Sequence, residues 1–83
     1  MAKRSVPVVE VLITSPSKIL YQGTAASVVF PGEQGTFEVM PLHRPLVSRL
    51  RAGRVFIDGK GLMILRGIVR VADDLVTAVV ELP

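Results

Sequence analysis

The sequence predicts an all-β fold, a small sandwich of two sheets carrying about nine or ten short strands. Three observations predict it. Short apolar segments that alternate with a period of 2 recur throughout the 83 residues. Pro, Gly, Ser and Asp punctuate them roughly every six to twelve positions, the spacing of sandwiches and small barrels. Val is abundant, and β-branched side chains pack well on a pleated surface. No repeat, low-complexity run or linker interrupts the pattern, so residues 1–83 read as a single domain.

Val6 to Thr14 is the first expected strand. Val9, Val11 and Ile13 share one face and Val8, Glu10 and Leu12 the other, because side chains alternate across a strand. Pro7 has no N–H to donate and belongs at a strand start or an edge. Ser15-Pro16-Ser17 turns the chain into a short strand, Lys18 to Gln22, which Gly23 ends. Ala25 to Phe30 is the third. Pro31-Gly32-Glu33-Gln34-Gly35 is a tight loop, in which Pro fixes φ and Gly supplies φ > 0. In the fourth strand, Thr36 to Met40, Phe37 and Val39 alternate with Glu38 and Met40. Pro41 and Pro45 exclude a regular helix over Leu42-His43-Arg44, leaving an extended loop. Leu46 to Leu50 reads as a short strand or a single helical turn. Gly53 opens Arg54 to Asp58, with Val55 and Ile57 facing one way. Asp58-Gly59-Lys60-Gly61 is the strongest hairpin signal, since Asp-Gly suits turns with φ > 0. Leu62 to Leu65, Gly67 to Val71 and Leu75 to Leu82 complete the set, with Asp73-Asp74 turning the last pair.

A chain this short buries only about 60–65% of the surface its unfolded form exposes, so its core must be dense. Its 49% apolar content and mean hydropathy of +0.51 meet that need. Without cysteine, neither a disulfide nor a thiolate-metal site can staple the fold. No stretch reaches the ~18–20 apolar residues of a membrane helix. Met1-Ala2-Lys3-Arg4-Ser5 leads straight into a strand pattern and lacks the apolar core of a secretory signal. The net charge of +3 raises nucleic-acid binding as a reading. Arg44, Arg49, Arg51 and Arg54 fall between Glu38 and Asp58 with no acid among them. A nucleic-acid platform pairs such charge with exposed aromatics for stacking. Here the aromatics are Tyr21, Phe30, Phe37 and Phe56, and three of them sit in apolar strand patterns. The charge is therefore assigned to a protein or anionic partner surface, with a basic small β-barrel that binds nucleic acid as the alternative.

Catalytic chemistry is not expected. The glycines form no Gly-x-x-x-x-Gly-Lys-Ser/Thr phosphate loop. His43 stands alone, with no Cys or second His to share a metal. Ser48 lies five residues from His43, but a hydrolase also needs an orienting carboxylate and an oxyanion hole. Asp73-Asp74 has the composition of a turn before that of a cation site. No catalytic residue, metal or cofactor is assigned.

Specificity begins at Pro31-Gly32-Glu33-Gln34-Gly35-Thr36-Phe37-Glu38-Val39-Met40-Pro41-Leu42-His43-Arg44-Pro45-Leu46. This run resembles the epsilon subunit of rotary F-type ATP synthases, in which a Gly-rich loop and an apolar strand precede Pro-Gly-His-Ala-Pro-Leu. Leu50-Arg51-Ala52-Gly53 is similar to the family's Leu-x-Pro-Gly, and Arg66-Gly67-Ile68-Val69-Arg70-Val71 to its Gly-Gly-Ile/Phe-x-Glu-Val. Val11 to Gly23 is similar to the family's opening strand, Ser/Thr-Pro turn and hairpin. The matches run in order from about Val8 to Leu82. Departures include Leu42 for a usual Gly, Arg44 for Ala, Glu38 for Gly, and Arg66 and Arg70 for Gly and Glu. The loss of Gly at Leu42 implies a loop backbone that needs no φ > 0. Family members commonly continue into two C-terminal helices, whereas this sequence ends just past the last strand at Glu81-Leu82-Pro83. It reads as a naturally short form or as the sandwich of a longer protein.

The resemblance implies a non-catalytic rotor component of the central stalk. It would bind the gamma subunit and the c-ring and couple ion-driven rotation to ATP synthesis. It would lie on the cytoplasmic face of a bacterial inner membrane, or in an organelle, peripheral through the complex and without insertion. Ser15, His43 and Ser48 match positions facing the gamma subunit, and Glu33, Gln34 and Thr36 match the loop facing the c-ring. Gly32, Gly35 and Gly53 serve the backbone. The braking of hydrolysis and the ATP binding associated with the helical pair are not expected of the sandwich, and nucleic acid is not an expected partner.

Overall fold

A computed structural model describes residues 7–83 of the chain. Nine strands and no helix make up the described residues: β1 (Val9–Thr14), β2 (Ile19–Ala25), β3 (Val28–Gly32), β4 (Gly35–Val39), β5 (Leu46–Leu50), β6 (Gly53–Ile57), β7 (Lys60–Ile64), β8 (Arg66–Ala72) and β9 (Leu75–Glu81). The expected fold class holds. Leu46–Leu50, open between strand and helical turn, is strand β5. Val6, the expected start of the first strand, lies outside the described residues.

The strands form two layers, β2-β1-β9-β8-β5 and β4-β3-β6-β7, joined into one hydrogen-bonded path where Gly32 of β3 pairs Leu50 of β5. All ladders are antiparallel except β1 with β9. One long hairpin organises both layers. Leu50 pairs Gly67 in the first layer and Gly53 pairs Ile64 in the second, so β5–β6 and β7–β8 keep a single register across a bend at Arg51–Ala52 and Leu65. The hairpin closes at Asp58 (φ 48) and Gly59 (φ 84), the two successive positive φ values of a tight hairpin turn. Lys60 and Gly61, expected in the turn, already pair in β7.

Period-2 alternation carries the core. Val9, Val11 and Ile13 are buried while Glu10 is exposed, and Val55 and Ile57 are buried between exposed Arg54 and Phe56. Sixteen apolar residues form the interior, nine of them Val, and none of the described buried residues is polar or charged. Phe30 and Phe37 stack with ring centroids 5.6 Å apart, filling the space under the β3–β4 hairpin.

Two local expectations are corrected. Gly23 does not end β2. It pairs Val11 within the ladder, and β2 runs on to Ala25 because Gly23 is extended there and the Tyr21 hydroxyl donates to the Thr24 carbonyl at 2.9 Å. Leu42 does adopt φ > 0, at 67°, against the expectation drawn from its replacing Gly. An acceptor distant in sequence holds it there: the Leu42 N–H donates to Asp74 Oδ1 at 2.7 Å, and His43 N–H donates to the Met40 carbonyl at 3.2 Å.

Candidate subunit interface

The β3–β4 hairpin tip and strand β5 border an open groove of about 570 Å³. Glu33, Gln34, Gly35, Thr36 and Phe37 line one side, and Leu46, Val47, Ser48 and Arg49 the other, with His43 beside them. The tip is built by local sterics. Gly35 has φ 130, and a side chain at Gly32 would sit 2.7 Å from the Gly35 carbonyl oxygen and 2.9 Å from the Phe37 ring. Both glycines serve the backbone, as expected. The Glu33 N–H donates to the Arg49 carbonyl at 3.0 Å and the Arg51 N–H to the Pro31 carbonyl at 2.9 Å, which clamps the tip onto β5.

Five of the six candidate residues meet at this groove: Glu33, Gln34, Thr36, His43 and Ser48. They were expected on two separate contact surfaces, and the structure sets them along a single channel. Its tip carries Glu33 and Gln34 at the bend of the long hairpin, and its flank carries Ser48 and His43. His43 is half-buried, its Nδ1 2.7 Å from the Arg44 carbonyl oxygen. The Ser48 hydroxyl donates to the Arg49 carbonyl at 3.0 Å.

Ser15 stands apart, in the β1–β2 turn beside Glu81 and Leu82. Its Oγ accepts the Lys18 N–H at 3.2 Å and its own N–H donates to the Lys18 carbonyl at 2.8 Å, so its contacts are those of a turn-forming serine. Sequence reasoning missed Val47, which is 65% exposed at the centre of the flank. Its signal was an apolar side chain at the outward position of a period-2 segment. Register joins that flank to the outer face of the first layer: Val47 pairs Arg70, and Arg49, Ile68 and Val79 form the adjacent row.

The groove offers hydrogen-bonding and apolar contacts. Among the described residues, no three His, Cys, Asp or Glu side chains cluster to hold a metal. Of the four aromatics, only Phe56 is exposed, Tyr21 and Phe37 are half-buried and Phe30 is buried.

Residues 8–82 match the family described as ATP synthase, Delta/Epsilon chain, beta-sandwich domain. The chain belongs to this family. The ATP synthase epsilon chain of a Nitratiruptor species is 42% identical over 74 residues, covering 83% of this chain and 57% of that protein. That of Leptospira borgpetersenii is 36% identical over 75 residues, covering 86% and 59%. This epsilon-type sandwich thus spans less than two thirds of the length of the curated relatives it matches. The fold is similar to a chain in the central stalk and c-ring of the Tetrahymena thermophila mitochondrial ATP synthase, with TM-score 0.73, 14% identity and coverage of 96% of this chain and 66% of that one. It is also similar to a chain in the Euglena gracilis mitochondrial ATP synthase, with TM-score 0.76, 17% identity and coverage of 95% and 53%.

Proposed function

We propose that this chain is the β-sandwich of a non-catalytic central-stalk subunit of an F-type ATP synthase. On this reading the groove flank, with His43 and Ser48, receives the gamma subunit, and the hairpin tip, with Glu33, Gln34 and Thr36, meets the c-ring. Ser15 contributes through the shape of its turn. The observation that carries the reading is the convergence of these residues on one groove in a chain of this family. A bent, continuous ladder with an apolar interior is a stiff body, which suits a part that transmits torque between a ring and a shaft. Function then falls to its loops and one flank. The chain would lie peripheral to the membrane through the complex, on the cytoplasmic face in a bacterium, and would need no cofactor.

Size-exclusion of the chain with its cognate gamma subunit tests this. At about 0.3 M salt, where exposed charge pairs are largely screened, the two should co-elute. Separate elution, combined with salt-sensitive oligonucleotide binding, would instead favour a nucleic-acid partner.

A further inference from the structure

We propose that the bent end of the sandwich is a contact surface for anionic lipid headgroups. The proposal rests on the rotor reading only for which end of the molecule faces the membrane. Charge is segregated along the fold. Lys18 in the β1–β2 turn, Arg49 near the end of β5, Arg51 in the bend and Arg66 at the start of β8 are all exposed at this end. The acids there are Glu33 and Glu81, and the Glu81 carboxylate is engaged by Arg66 Nε. The opposite end carries Glu10, Glu38, Asp58, Asp73 and Asp74 against Arg44, Lys60 and Arg70. Cations therefore lead at one end and carboxylates at the other.

Two further features mark this end, which shares Glu33 and Arg49 with the groove. Ile19 is 58% exposed and Leu65 46% exposed, each adjacent in sequence to one of the cations. A shallow depression joins two of the four cations, Arg49 and Arg66, with Pro16, Glu33 and Glu81, and it runs on to Ile68 and Val79. Guanidinium groups match phosphate oxygens bidentately, and each cation near an anionic leaflet adds to the attraction. Single apolar side chains among them suit the headgroup boundary, where a shallow apolar contact supplements the charge. A protein partner would instead favour a contiguous apolar centre, which Val47, Ile68 and Val79 supply on the flank, whereas Lys18, Ile19, Arg51 and Leu65 border neither the groove nor the depression.

The test is sedimentation of the purified chain with vesicles of phosphatidylcholine alone or with about 30% phosphatidylglycerol added, at low salt. Partition onto the anionic vesicles should be at least about tenfold greater and should fall steeply as salt rises. The pair Lys18→Glu and Arg51→Glu should lose at least about tenfold, while Arg44→Glu and Lys60→Glu at the far end should stay within about threefold. Equal binding to both vesicle types, binding that ignores salt, or equal losses in the two variant pairs would overturn the proposal. The salt series uses the unaltered chain and stands even where a variant folds poorly. Gamma association without vesicle binding would remove this surface and leave the rotor reading. Vesicle binding without gamma association would do the reverse.

Discussion

Asp58 carries two roles at one position. Its backbone sits at φ 48, a conformation Asp tolerates better than most residues, and its Oδ1 accepts the N–H groups of Ala26 at 2.9 Å and Ser27 at 3.1 Å. Those donors turn the corner from β2 into β3, and no strand partner satisfies them there. Asp58→Ala removes the acceptor and keeps the positive φ, so a loss of about 1–3 kcal/mol is expected in urea unfolding. Asp58→Asn retains an acceptor oxygen and should lose clearly less; equal losses would show that the acceptor is not the source. Leu42 presents the opposite case. It is 89% exposed and gains little from its side chain, yet it holds φ 67. The left-handed conformation costs a residue like Leu about 1–2 kcal/mol, against roughly 0.4–1 kcal/mol for the extra freedom of Gly in the unfolded chain. Leu42→Gly should therefore be neutral or raise the thermal midpoint, by up to about 4–8 °C for a domain of this size. A lower midpoint would mean that the Leu42 side chain makes a stabilising contact the geometry does not reveal.

Among the elements, the long hairpin decides most. At its β8 crossing, Gly67 lies between Leu50 and Val80, and a side chain there would meet the Val79 carbonyl oxygen at 2.6 Å and Val80 Cγ1 at 2.8 Å. Neither atom is the end of a flexible chain, so Gly67→Ala should force β8 from β9 and cost about 1–3 kcal/mol in chemical denaturation. Gly23→Ala, where the nearest atoms are those of the Tyr21 ring at 3.6–3.8 Å, should stay within about 0.5 kcal/mol. A comparable loss at both positions would remove the crowding explanation. The same element shows what the sequence discloses. Val55 and Ile57, and the Asp58-Gly59 turn, were legible because alternation and turn chemistry are written in neighbouring residues. The bend was half-legible, in the break at Arg51-Ala52-Gly53. The backbone of Leu42 was not legible, because its determinant is a carboxylate 32 positions away. His43, Ser48 and the hairpin tip were singled out through motif resemblance, but their meeting in one groove depends on β5 passing the tip. Val47 had no motif to announce it.

For the molecule as a whole, the groove predicts a separation of partners along its length. The flank combines Val47, 65% exposed, with Ser48 and His43, and continues by register to Ile68 and Val79, each nearly half exposed. A partner seated there would bury apolar surface, and such burial resists salt. The tip, by contrast, presents Glu33 and Gln34 on a tight turn with little apolar surface of its own. Val47→Asp or Ser48→Arg should weaken association with the gamma subunit by tenfold or more, equivalent to at least about 1.4 kcal/mol, at any salt concentration. Glu33→Lys and Gln34→Lys should leave that affinity within about threefold and reduce retention of the chain by detergent-solubilised c-ring instead. All four positions are exposed or half-buried, so strand circular dichroism and urea midpoints should be unchanged, and any loss of binding can be read as contact. Isothermal titration with gamma, paired with pull-down on the ring, distinguishes the cases. Tip variants that abolish gamma binding, or flank variants that leave it intact, would show that the two ends of the groove do not divide the partners as proposed.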